Sequence, residues 1–209
     1  MPDDKIHTKA LDYRSAYPSY VGSYVWPILR RLLEMERQTD KRAFEIGCGN
    51  GTTANLLTQL GYAVTGVDPS KSGVEVARAA FPRVTIRIGS VYDDLPGIYG
   101  RFPLVVSLEV VEHLFAPRVL AQTMYDMLEP GGLGVLSTPY HGYLKNLALS
   151  VTGKWDRHLQ PLQEGGHIKF FSIATLTQLL KEAQFNDVSI CRVGRVPPLA
   201  KSMIAVLRK

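Results

Sequence analysis

Two stretches of this chain carry residue types that chemistry can use. The first is Phe44-Glu45-Ile46-Gly47-Cys48-Gly49-Asn50-Gly51-Thr52, where three glycines alternate after a short apolar run. Alternate glycines let the backbone take positive φ and let a ligand approach with no Cβ in the way. A helix opening directly after the turn offers free N–H groups to an anionic ligand group. Asp68 ends the next apolar run, 21 positions after Gly47. A carboxylate there can accept two hydrogen bonds from a ribose diol. The second stretch is Glu109-Val110-Val111-Glu112-His113. Its carboxylates and imidazole converge if the segment turns helically, because i and i+3 or i+4 are neighbours on a helix. Such a group can take a proton or hold a divalent cation.

The glycine turn alone is not specific. Dinucleotide enzymes place G-x-G-x-x-G similarly, and a tight βα turn with no ligand can use the same residues. Taken with Asp68, the E-x-G-x-G-x-G turn resembles the first motif of the class I S-adenosylmethionine (SAM) methyltransferases, (D/E)-x-G-x-G-x-G. The resemblance implies SAM as cofactor. Its amino-acid part would lie on the loop of Glu45, Gly47, Gly49 and Gly51, and its ribose on Asp68. In that family the loop after the third strand lies against the adenine, which points here to Val91 and Asp93. Gly89-Ser90-Val91 departs from the commoner G-D-A start, so the register of this loop stays open. Leu108, at the end of the fourth strand, completes the implied cofactor contacts. Leu128-Glu129-Pro130-Gly131-Gly132 matches the family's L-x-P-G-G turn in position as well as composition. The resemblance spans about residues 40–209.

The E-x-x-E-H pattern is similar to that of two groups within these enzymes. One is the ubiquinone-biosynthesis O-methyltransferases. The other is the small-RNA 3′-terminal 2′-O-methyltransferases, which use it with a distant His as a metal cluster. His167-Ile168-Lys169-Phe170 is similar to the H-x-(K/R)-F segment carrying that His. By resemblance, Glu109, Glu112, His113 and His167 form one site for a divalent cation, and Glu112, His113 and His167 are the catalytic candidates. The alternative gives them acid/base or structural roles without metal. Methyl transfer from a sulfonium is an in-line displacement, so the protein mainly positions the acceptor and removes a hydroxyl proton. The expected function is transfer of a methyl group from SAM to a small-molecule acceptor, at a hydroxyl oxygen. The rivals are RNA 3′-terminal 2′-O-methylation and a non-catalytic SAM-binding partner subunit.

The elements that must position these residues follow from periodicity. A helix is expected over Val21–Arg37, with Pro27 near its start, and strands over Arg42–Ile46, Val64–Asp68, Val84–Gly89 and Phe102–Leu108. Helices are expected from Ser70 to Phe81, with Ser70 as N-cap, from Pro117 to Leu128 and from Ile173 to Ala183. Glu129-Pro130-Gly131-Gly132 should break the chain before a strand from Leu133 to Thr138. Val188–Val193 and Met203–Leu207 read as a last strand pair, which in the resembled family is an antiparallel hairpin. Residues 139–166, with Tyr140, His141 and His158, read as a long irregular loop shaping the acceptor pocket. Residues 1–40 read as an arm and helix covering the ligand, with Tyr13, Tyr17 and Tyr20 in a mobile arm. The fold expected is one Rossmann-like, doubly wound α/β domain with a seven-stranded sheet.

Composition agrees with one globular domain: 209 residues, 45% apolar and 21% charged. No apolar run reaches membrane-span length, and the first residues lack a signal-peptide apolar region. Cys48 and Cys191 are the two cysteines, which favours a reducing, cytoplasmic setting over a disulfide framework. The net charge of +5 is spread over scattered Lys and Arg, which reads as a solvated surface rather than a nucleic-acid footprint. The oligomeric state is not written in the sequence.

Overall fold

A computed structural model of the chain describes residues 10–36, 39–159 and 161–209. The apolar stretch expected to be missing near Met1–His7 therefore falls outside the described residues. The helices are α1 (Gly22–Met35), α2 (Thr52–Gln59), α3 (Lys71–Ala80), α4 (Leu95–Tyr99), α5 (Pro117–Met127), α6 (Tyr143–Val151), α7 (Trp155–Leu159) and α8 (Ile173–Glu182). The strands are β1 (Arg42–Ile46), β2 (Ala63–Asp68), β3 (Thr85–Ile88), β4 (Phe102–Leu108), β5 (Leu128–Pro139), β6 (Asp187–Val193) and β7 (Ser202–Arg208). They form one seven-stranded sheet in the order β3-β2-β1-β4-β5-β7-β6. The first five strands run parallel, and β7 pairs antiparallel with both β5 and β6.

Strand alternation divides the core between the two sheet faces. Phe44, Ile46, Val105 and Leu136 point to the face packed with Leu120, Met124, Leu176 and Leu180 of α5 and α8. Ala43, Val64, Leu104 and Val135 point to the face packed with Leu29, Leu57 and Val74 of α1, α2 and α3. The strand order reverses between β1 and β4, and a doubly wound sheet leaves its ligand crevice beyond the carboxyl ends of the strands at that reversal. Both chemistry-bearing stretches leave strands there, one from β1 and one from β4.

Three local expectations change. Residues 139–166 are not one irregular loop, because α6 and α7 lie within them. Tyr143, Leu144, Leu147 and Val151 of α6 are exposed, so this helix lacks the core-facing stripe by which amphipathic helices are recognised. Secondly, β5 begins at Leu128 and runs through Pro130-Gly131-Gly132. Phe102 pairs with Leu128 before a register shift, and Gly131, at φ 76°, donates its N–H to the Lys209 carbonyl. The turn signal marks a bulge rather than a strand boundary. Thirdly, the loop after β3 contains α4, whose Gly97 N–H is capped by the Asp94 carboxylate. The Ser70 cap is as expected: its Oγ accepts the Gly73 N–H at 3.0 Å.

The described part of the arm is tied down rather than loose. Asn50 Nδ2 donates to the carbonyls of Ser15 and Tyr17, each at 2.9 Å, and the Tyr13 N–H donates to Ser72 Oγ. No described helix is long and apolar enough to cross a membrane.

Candidate functional site

The glycine turn forms a wall built from backbone. Gly47, Gly49 and Gly51 all have positive φ, at 77°, 49° and 77°. A Cβ on Gly47 would lie 2.4 Å from Val110 Cγ2, so this glycine lets the β1 turn meet the β4 turn. A Cβ on Gly49 would strike the Tyr13 hydroxyl at 2.6 Å, so the second glycine makes room for the arm. Gly51 is the left-handed cap of α2, and a Cβ there would meet Ala77 of α3.

Asp68 closes the turn. One carboxylate oxygen accepts the Gly49 N–H at 2.7 Å and the other accepts the Ser70 N–H at 2.8 Å. Burial pushes this carboxyl up, and the two N–H donors pull it back. Each oxygen keeps a lone-pair direction for a further donor. Glu45 lies behind the loop, 2% exposed, and the Ala54 N–H of α2 donates to it. Burial first, and then the neighbouring Asp68, push the Glu45 carboxyl up to about 8.

These groups open on one cavity of about 970 Å³, lined by Gly47, Asp68, Val91 and Leu108 among others. Asp93 turns away from it and accepts the Ser90 N–H at 2.7 Å, which fixes the loop presenting Val91. Tyr24 and Trp26 of α1 also line the cavity. Sequence reading took only the apolar stripe of that helix; two large aromatics off the stripe were the available signal.

A second part of the lining is built from titratable side chains. Glu109, at φ 55°, is a non-glycine residue in left-handed backbone, which is the kind of strain that clusters at functional sites. Its carboxyl accepts from Ser137 Oγ at 2.8 Å and from Ser202 Oγ at 3.3 Å. Burial pushes it up to about 7 against those hydrogen bonds. Glu112 is fully buried on a 3₁₀ turn spanning Val111–His113. Its Oε2 accepts from Thr138 Oγ1 at 2.9 Å, while its Oε1 has no hydrogen-bond partner. Burial, and then Glu109, push Glu112 well above the usual carboxylate range.

That unpartnered oxygen lies 3.9 Å from Nε2 of His113 and 3.9 Å from Nε2 of His167. His113 Nδ1 is 2.7 Å from the Gly165 carbonyl and so carries the hydrogen, which leaves Nε2 as the acceptor. His167 is driven down to about 4 by burial and by His113, and is neutral at pH 7. One ligand atom from each of Glu112, His113 and His167 falls within a 4.8 Å group that could hold a metal ion. Glu109, the fourth member of the expected set, is not in that group and is held instead by its two serines.

His167 is brought to Glu112 by the backbone as well as by its side chain. The N–H groups of Ile168 and Lys169 both donate to the Glu112 carbonyl. Of the two other expected pocket histidines, His158 lines the cavity, whereas His141 is 5% exposed and packs on Phe170 and His158. Tyr140 is buried in the core and does not reach the cavity.

Comparison with known proteins bears on this geometry. The family model described as "Methyltransferase domain" matches residues 17–190. The chain is 32% identical over 150 residues to a Mycolicibacterium smegmatis protein described as a probable S-adenosylmethionine-dependent methyltransferase, covering 72% of this chain and 54% of that protein. It is 30% identical over 151 residues to the ubiquinone biosynthesis O-methyltransferase of Cereibacter sphaeroides, covering 70% of this chain and 61% of the relative. The matches thus span a little over half the length of these curated relatives. A solved structure of an S-adenosylmethionine dependent methyltransferase from Mesorhizobium loti shares the fold, with a TM-score of 0.69 at 20% identity, covering 88% of this chain and 97% of that one.

Proposed function

The chain belongs to the class I SAM-dependent methyltransferases, and from that premise we propose that it transfers the methyl group of SAM to a hydroxyl oxygen of a small-molecule acceptor. One observation carries the reading. The glycine turn with Asp68 and the Glu112-His113-His167 group reach one cavity, the first through Gly47 and Asp68 and the second through His113 and His167. The identity to ubiquinone O-methyltransferases supports oxygen as the atom methylated.

The residues fit the donor. Gly47 and Gly49 keep side chains off the turn, and Asp68 is a buried carboxylate with lone pairs to spare. Bound SAM supplies a methyl group already activated by sulfonium. The protein supplies position and a proton acceptor. His113 is the oriented base: its Nδ1–H is fixed on Gly165, and its Nε2 is free to take the hydroxyl proton. Glu112 Oε1, 3.9 Å from that nitrogen and without a partner, stands as an acceptor for the imidazolium so formed, and a base of this kind contributes about 10²–10⁴ in rate.

A divalent cation also fits the second wall. Glu112, His113 and His167 would hold it, which would give the orphaned Glu112 oxygen a partner. A cation there would acidify an acceptor hydroxyl. Methyl incorporation from labelled SAM into catechols, with and without a chelator, tests both readings. Turnover that Glu112→Gln abolishes while the variant still binds S-adenosylhomocysteine (SAH) is expected; full turnover in Glu112→Gln and in His113→Ala, chelator present or absent, refutes the role of this wall.

A further inference from the structure

The scattered basic residues do not all face bulk solvent. Lys145 of α6, Arg195 from the β6–β7 connection and Lys201 just before β7 line the same cavity as Asp68 and His113. They stand on its β5–β7 side, whereas the donor turn lies on its β1–β2 side. Lys145 Nζ donates to the Lys201 carbonyl at 3.2 Å. Lys201 Nζ donates to the Tyr20 hydroxyl and lies 4.2 Å from the centre of that ring. These partners are neutral. Among the described residues, no carboxylate forms an ion pair with Lys145, Arg195 or Lys201. The nearby Glu109 is taken by two serines. Burial first, and then Arg195, disfavour the charge of half-buried Lys145, against a smaller opposing pull from Glu109.

Like charges gathered in a cavity repel one another and cost stability unless an anion joins them. Building on the methyltransferase reading above, we propose that Lys145, Arg195 and Lys201 form a subsite for an anionic group on the acceptor, a carboxylate or a phosphate. The acceptor is then a small acid whose hydroxyl is presented to His113 while its charge rests on this cationic corner. The carboxylate of SAM itself is the competing source of an anion.

The test is calorimetry on the full chain saturated with SAH. The probes are 4-hydroxybenzoate, 4-hydroxyphenyl phosphate and the neutral 4-hydroxybenzamide. The wild type is expected to favour at least one charged probe over the amide by about tenfold or more, as hydrogen bonds to a charged group allow. Lys145→Met combined with Arg195→Met should erase that preference, and Lys145→Arg should keep it. SAH affinity should stay as in the wild type for both variants, and the double variant, relieved of the like charges, should melt no lower than the wild type. Equal affinity for charged and neutral probes, or no binding of any probe, overturns the proposal. Loss of SAH binding by a normally melting double variant also overturns it, because the cations would then serve the donor. Failure of SAH to bind the wild type, seen before any probe is added, sinks the underlying reading instead.

Discussion

The two walls of the cavity are made in different ways. The wall proposed for the donor is backbone turned by glycine, N–H groups aimed at Asp68, and a carboxyl, Glu45, buried behind the loop. The wall proposed for the acceptor is side chains: Glu109, His113, His158, His167 and Lys145, with Glu112 buried behind them, drawn from segments far apart in the chain. Backbone geometry at the first wall dictates residue type, because only glycine takes these φ values beside such close neighbours. At the second wall the residues are defined by what they face, and that is set by tertiary packing. A donor seat of the first kind suits a fixed ligand, whereas a wall of the second kind can be retuned residue by residue.

Substitutions can break this contrast. The largest effect is expected from Glu112→Gln, which preserves shape and the Thr138 contact but replaces the unpartnered Oε1 beside the two histidines with an amide NH2. Turnover should fall by about 10²–10⁴ in a methyl-transfer assay, with SAH affinity unchanged. A loss of SAH binding would show that the walls are not separable. Asp68→Ala acts from the other side. It frees the Gly49 and Ser70 N–H groups that shape the turn and removes the charged acceptor proposed for two ribose hydroxyls, each such bond being worth ~1.5–3 kcal/mol, so SAH affinity should fall by about 100-fold or more in calorimetry. Affinity within twofold of the wild type would remove Asp68 from the donor seat.

Gly47→Ala sharpens the contrast with a smaller step. The new Cβ meets Val110 in a left-handed turn, a conformation costing ~1–2 kcal/mol for a non-glycine residue. Melting temperature and SAH affinity should both drop, the latter by about tenfold at that cost. Gly131→Ala has the same φ sign with open space around its Cβ and should leave SAH binding intact.

The smallest effect is a pH dependence. The Glu45 carboxyl is raised to about 8 in the folded chain, so the fold binds its proton more tightly than the unfolded chain does. That contribution is whole below the unfolded carboxylate range and is lost as pH rises through about 8. Glu45→Gln should flatten the fall in melting temperature between pH 5 and 9 by about 3 °C or more, the shift expected of ~1 kcal/mol at this chain length. An unchanged slope would mean the buried carboxyl is ionised throughout.

The contrast also explains what the sequence made legible. The carboxyl ends of β1, β2 and β4, the glycine turn, Asp68 and the Ser70 cap are local signals, and each stands where periodicity and turn chemistry put it. The E-x-x-E-H stretch was legible as a group, but its split was not: Ser137 and Ser202, from strands β5 and β7, take Glu109 away from Glu112 and the histidines. Helix α6 was not legible because Tyr143, Leu144, Leu147 and Val151 face outward and no residue of it enters the core. Lys145, Arg195 and Lys201 read as ordinary surface charge because nothing local says that β7 folds back beside β5 and gathers them.

The central claim is that the turn from Gly47 to Thr52, facing Asp68, seats the methyl donor. A crystal structure of the chain grown with SAH tests it most directly. The account predicts nucleoside density in the cavity, with the ribose hydroxyls within hydrogen-bond reach of the Asp68 carboxylate and the sulfur directed toward His113. Density elsewhere, or a cavity empty of SAH at saturating concentration, would contradict it.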